Sequence, residues 1–191
     1  MEMEKFQNKY RVPSARASFW DYGWAAVYFI TICTKDRFHY FGEIEDAKMH
    51  LSTIGALAQN EWIKTPDIRP DMNISLGEFV VMPDHFHGIL IIGENGYHCV
   101  DNGIGEISRV STKTNTGTEP SNCFGPQRKN IASIIRGFKS SVTRHARTIN
   151  PDFAWQSRFY DHIIRDEPSF EAISNYIITN PMRWGNVSTE W

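Results

Sequence analysis

Two strand-forming runs separated by only two residues constrain this chain more than any other feature. Asn73–Met82 (NISLGEFVVM) and His85–Ile92 (HFHGILII) are rich in β-branched and aromatic residues, and Pro83-Asp84 between them is turn chemistry. So short a link leaves no room for a crossover, so the runs must pair as a tight antiparallel hairpin. Strand side chains alternate between faces, which puts His85 and His87 on one face and Phe86 on the other. Two imidazoles on one face can share a single metal ion while Phe86 fills a core beneath. A His-x-His pair also arises by accident, and on this spacing alone both readings stay open.

The neighbouring segments extend the pattern. Ala25–Thr34 (AAVYFITICT) reads as a buried strand. Ala47–Lys64 carries Leu51, Ile54, Leu57, Ala58 and Trp62 at helical spacing and is ended by Pro66. Ile131–Arg147 is a helix with the apolar stripe Ile131, Ile134, Ile135, Phe138 and Val142. Arg158–Arg165 is a short strand, and Pro168–Asn180 a last helix stopped by Pro181. The order is βαββαβ plus a C-terminal helix, the ferredoxin-like α+β pattern with an antiparallel sheet. Right-handed crossovers would place the first and third strands at its centre. Gly93 to about Pro126 is rich in Gly, Ser, Thr and Asn with little periodicity, and reads as a flexible surface insertion spanning about 94–126. Residues 1–191 are the length of one domain with decorations.

Composition excludes several classes. No apolar run approaches the ~20 residues of a membrane span, and the polar start Met1-Glu2-Met3-Glu4-Lys5 does not read as a signal peptide. Cys33, Cys99 and Cys123 are odd in number and far apart, which argues for free thiols and a cytoplasmic location. No phosphate-binding glycine loop is present, so no nucleotide cofactor is expected. The net charge of −2 is unremarkable, but Arg128–Arg165 carries +6 and the rest of the chain −8. Arg136, Lys139, Arg144 and Arg147, largely off the apolar stripe, and Arg158 beyond the helix are therefore candidate DNA-phosphate contacts. A solvated helix face gives the same pattern.

Near the C-terminus, Tyr176 and Asn180 are spaced i, i+4 and share one helix face. They can offer a nucleophile and a third, oxygen ligand to one ion. A half-buried tyrosine with an asparagine near a helix end has the same spacing. The stretch WQSRFYDHIIR supplies Tyr160 as a rival nucleophile and His162 as a rival ligand. Its aromatic–arginine interleaving suits stacking on unpaired bases or packing beside a core.

Taken together, VVMPDHFHGILII (Val80–Ile92), IIRGFKSSVTRHA (Ile134–Ala146), WQSRFYDHIIRD (Trp155–Asp166) and YIITNPMRWG (Tyr176–Gly185), with YFITICTKDRFHYFGEI (Tyr28–Ile44), resemble the REP-associated tyrosine transposases. These are His-hydrophobic-His single-tyrosine transposases of the insertion-sequence-200-like superfamily. The resemblance implies a single transposase domain on a ferredoxin-like fold, with His85, His87 and Asn180 as metal ligands and Tyr176 as catalytic nucleophile. It also implies Mg2+ or Mn2+ as cofactor and single-stranded, hairpin-forming repeat DNA as partner, and leaves monomer and homodimer both open. The family often has Asn where this chain has Asp84, which adds a carboxylate beside the expected ion. Two other functions suit the same elements: an inactive single-stranded DNA hairpin-binding protein, and an RRM-like RNA-binding module using sheet aromatics.

Overall fold

The computed structural model describes residues 23–94 and 129–184. The first strand, β1 (Ala26–Cys33), lies between the hairpin strand β5 (His85–Ile92) and the edge strand β6 (Tyr160–Ile164), while β4 (Ile74–Val81) forms the other edge. The sheet order is β4-β5-β1-β6, every pair antiparallel. The first and third strands of the βαββαβ core are thus central, and the fold is ferredoxin-like. Apart from Gly93 and Glu94, the expected surface insertion lies outside the described residues.

The sheet's two faces are covered unequally. On one, α1 (Thr53–Ile63), followed in the chain by the one-turn α2 (Thr65–Ile68), and α3 (Ile131–Ile149) pack side by side over Tyr28, Ile30, Ile32, Phe86, Leu90 and Ile92. Asn130 starts α3, its side chain accepting from Ser133 N at 2.9 Å while Ser133 Oγ takes the Asn130 N–H in return. The stripe read from sequence is the buried one: Ile131, Ile134, Ile135, Phe138 and Val142, extended by Ala146. On the other face, among the described residues, lies the single helix α4 (Glu167–Arg183), forming a smaller cluster of Ile89, Ile164 and Ile177 flanked by Val27, Phe29, Val80 and Ile91. Asp166 caps α4 by accepting from Ser169 N at 2.8 Å.

Two boundaries differ from the sequence expectation by more than two residues. The helix expected from Ala47 begins at Thr53, because 42–51 forms a small hairpin of β2 (Gly42–Glu45) and β3 (Lys48–Leu51). Glu45 pairs with Lys48, so Asp46 and Ala47 form a two-residue turn with φ of 49° and 59°. Such turns usually announce themselves with Asn-Gly, and this one has neither residue. Ser52 then caps α1, accepting from Gly55 N at 3.0 Å. Pro181 does not stop the last helix at Asn180: α4 runs on to Arg183. Proline removes one N–H bond and crowds the carbonyl one turn back, a cost the helix absorbs near its end, where the chain closes with a 3₁₀-type bond from Trp184 N to Pro181 O at 3.3 Å.

Candidate active site

The β1–β5 register builds the site. Thr31 stands opposite His87, Cys33 opposite His85, and Phe29 opposite Ile89. These side chains face α4, whereas Phe86 points the other way into Trp62 (centroids 4.7 Å apart) and Phe138 (5.6 Å). Gly88 follows His87 for a packing reason. A Cβ there would lie 2.9 Å from the Phe86 ring and 3.0 Å from Trp62, closer than real contacts allow. A bulge in β4 between Leu76 and Phe79 interrupts the register beside this region.

The α4 helix brings its stripe Phe170, Ile173, Ile177 and Asn180 down onto the sheet, with Tyr176 beside it. Tyr176 Oη lies 3.4 Å from His87 Nε2, and its ring meets Phe29 edge-on at 6.2 Å. Asn180, one turn further on, is 8% exposed. Beyond Pro181, Trp184 sits with its ring 6.0 Å from His85 and 5.7 Å from His39, closing this end. The two histidine rings are 4.5 Å apart and steeply inclined. Burial, reinforced by the charges of His85 and Arg37, holds the His87 imidazole well below its ordinary pKa, so it is neutral. Its Nδ1 lies 2.8 Å from Thr31 Oγ1. His85 Nδ1 lies 2.5 Å from Asp84 Oδ1, and Arg37 Nε approaches Asp84 Oδ2 at 3.5 Å. Burial pushes the Asp84 carboxyl up, but His85, Arg37 and His39 outweigh it and leave it below the usual value.

Sequence-expected site residues therefore divide. His85, His87, Tyr176 and Asn180 converge on one sheet face. Tyr160 and His162 lie on that same face by register, opposite Thr31 and Phe29 on the edge strand. Tyr160 is 53% exposed and reaches Phe29, centroid to centroid 6.4 Å. The basic helix lies elsewhere: α3 packs on the opposite face, so Arg136, Lys139, Arg144 and Arg147 are separated from Tyr176 by the sheet. Two of its cations are engaged in the fold. Lys139 Nζ donates to Gln156 O (2.5 Å) and Arg158 O (3.3 Å), and Arg147 Nε to Phe153 O (3.0 Å). Arg136 and Arg144 are exposed and have no such partner among the described residues, and Arg158 is exposed. Sequence reasoning missed Thr31, Arg37 and Trp184. Only strand register and the α4 end bring them to the histidines, and neither leaves a local pattern.

As to metal, no group of three His, Cys, Asp or Glu among the described residues can hold an ion. A third donor to any ion held by the two histidines would have to be of another kind, such as the amide of Asn180 on the same face. No described helix is long and apolar enough to cross a membrane.

No protein-family model matches the chain. It is 36% identical over 175 residues to an uncharacterised protein of Haemophilus influenzae, a match covering 90% of this chain and 88% of that one. Among solved structures it is similar to a REP-associated tyrosine transposase bound to a REP hairpin, with a TM-score of 0.54 and 19% identity over 97% of this chain and 76% of that chain.

Proposed function

We propose that this chain, which belongs to the same family as the Haemophilus influenzae protein and has the fold of a REP-associated tyrosine transposase, is an enzyme that cuts and rejoins single-stranded DNA through a covalent tyrosine link. One observation carries the reading: Tyr176 Oη lies 3.4 Å from His87 Nε2, on the face that also holds His85 and the buried Asn180.

Tyr176 is the nucleophile. A phenol is a weak nucleophile in water, so the rate depends on in-line placement against phosphorus. Its oxygen forms a bond to the scissile phosphorus as the bond to the 3′ oxygen breaks. The phenol gives up a proton and the departing 3′ oxygen takes one, leaving a 5′-phosphotyrosine and a free 3′-OH. The phosphodiester energy is kept in that link, so a second 3′-OH can reverse the step and release Tyr176. His85, His87 and Asn180 would hold a Mg2+ or Mn2+ ion, which when bound polarises a non-bridging phosphate oxygen. The sheet and α4 keep the ring of Tyr176 seated through Phe29 and His87. The solved relative's REP hairpin suggests hairpin-forming repeat DNA as substrate.

The test is a covalent adduct. The chain is incubated with a single-stranded oligonucleotide carrying a hairpin, with and without Mn2+, and digested. A mass-shifted peptide bearing Tyr176 supports the reading. An adduct on Tyr160 reassigns the nucleophile, and binding without any adduct favours the inactive hairpin-binding alternative.

A further inference from the structure

We propose that Arg37 and Asp84 are positioning residues that lock His85 in one tautomer, with the proton on Nδ1 and the lone pair on Nε2. The inference rests on the proposed metal site, whose ligand His85 would be. With the Arg37 guanidinium drawn up on Oδ2, the other carboxyl oxygen of Asp84 faces His85 Nδ1 at 2.5 Å, an acceptor geometry that places the ring proton on Nδ1. Nε2 is left as the one ring atom able to bind a cation. Both Asp84 oxygens are engaged, Oδ1 by His85 and Oδ2 by Arg37 at 3.5 Å. The extra carboxylate beside the histidines thus orients a ligand and is not itself one.

The surroundings fix this arrangement from three sides. The backbone oxygen of Asp84 accepts from Thr34 N at 2.9 Å, and Thr34 Oγ1 lies 2.9 Å from the same oxygen. Thr34 is fully buried. Arg37 reaches Asp84 from a turn in which Asp36 and Arg37 both hold left-handed backbone, with φ of 53° and 58°. That conformation is unfavourable for residues with a Cβ and persists only where contacts impose it. The Arg37 guanidinium is also anchored, Nη1 donating to Cys33 Sγ at 3.1 Å. Cys33 stands opposite His85 in the register, so the anchor and the oriented ring share one strand pair. A charged residue held in a costly backbone conformation, aimed at a buried carboxylate that grips a histidine, has the form of an outer shell orienting a ligand.

The test reads the tautomer directly. Long-range 1H–15N correlation of the full-length, metal-free protein at neutral pH is expected to show His85 protonated on Nδ1. Asp84→Ala should give a tautomer mixture and weaken Mn2+ binding, measured calorimetrically, by roughly 10- to 100-fold. Asp84→Asn keeps an acceptor oxygen and should restore the Nδ1–H form and most of the affinity. Arg37→Gln should cause a smaller loss. Asp84→Asn also serves if Asp84→Ala fails to fold. The proposal is overturned if wild-type His85 carries its proton on Nε2, or if Asp84→Ala leaves both tautomer and Mn2+ affinity unchanged. Should the wild type bind no Mn2+, the metal reading falls while the tautomer comparison still decides the role of Asp84.

Discussion

The clearest quantitative consequence concerns α3, because charge counting and geometry disagree about how many of its cations can hold DNA. Counting gives four, Arg136, Lys139, Arg144 and Arg147. Among the described residues two are left unengaged, since Lys139 and Arg147 donate to backbone carbonyls. Each phosphate contact on a single strand adds about 0.7 to the slope of log affinity against log salt. Arg136→Gln/Arg144→Gln should therefore flatten the slope by about 1.4. Between roughly 50 and 200 mM salt, the wild type should lose about sevenfold more affinity than this variant. Lys139→Gln should lower thermal stability by untying α3 from the 155–158 segment, and move the slope little. Fluorescence anisotropy of a labelled hairpin across a KCl series measures both. Because α3 lies behind the sheet from Tyr176, single-turnover cleavage of a short strand bound at saturation should be unchanged in the double variant. An unaltered slope would show that this face is only solvated, and a cleavage defect at saturation would show that the separation of the two faces is misjudged.

Three further outcomes are expected. Tyr176→Phe keeps the ring contacts with Phe29 and His87 and loses one long hydrogen bond, so the melting temperature should move by no more than a few degrees, about 1 kcal/mol; covalent adduct, read by gel and mass spectrometry, should vanish. Gly88→Ala should destabilise by about 1–3 kcal/mol in urea titration, because the new methyl meets the Phe86 and Trp62 rings. His87 has a folded pKa below its unfolded value of about 6.5. The unfolded state therefore binds more protons, and in chelator the urea midpoint should fall as pH drops below about 6.5, a dependence that weakens in His87→Gln; a midpoint flat between pH 7 and 5 would contradict it.

The strands, the split of Phe86 from the two histidines, and the Tyr176–Asn180 face were legible because each follows from a short-range period. The β2–β3 hairpin was not, because Leu51 falls at helical spacing from Ile54 and the Asp46-Ala47 turn carries no glycine. Pro181 misled for the opposite reason: a strong local breaker is harmless in a last turn. The engaged states of Lys139 and Arg147 depend on carbonyls of a loop 6 to 19 residues away, which charge composition does not encode. Thr31, Arg37 and Trp184 gather around the histidines only through the β1–β5 register, the turn after β1 and the end of α4.

The unequal covering of the sheet has a consequence for motion. The proposed nucleophile, Tyr176, rides on a helix anchored, among the described residues, by the small buried cluster of Ile89, Ile164 and Ile177, while the histidines belong to a strand pair locked by the larger core behind. Such a layer can open as a cooperative unit below the free energy of global unfolding. Backbone amides of α4 should accordingly exchange with deuterium faster than those of β1 and β5. The two halves of the site would then have different lifetimes: a persistent imidazole pair, and a tyrosine whose seating is an equilibrium that a bound strand, packed against both, would draw toward the closed form.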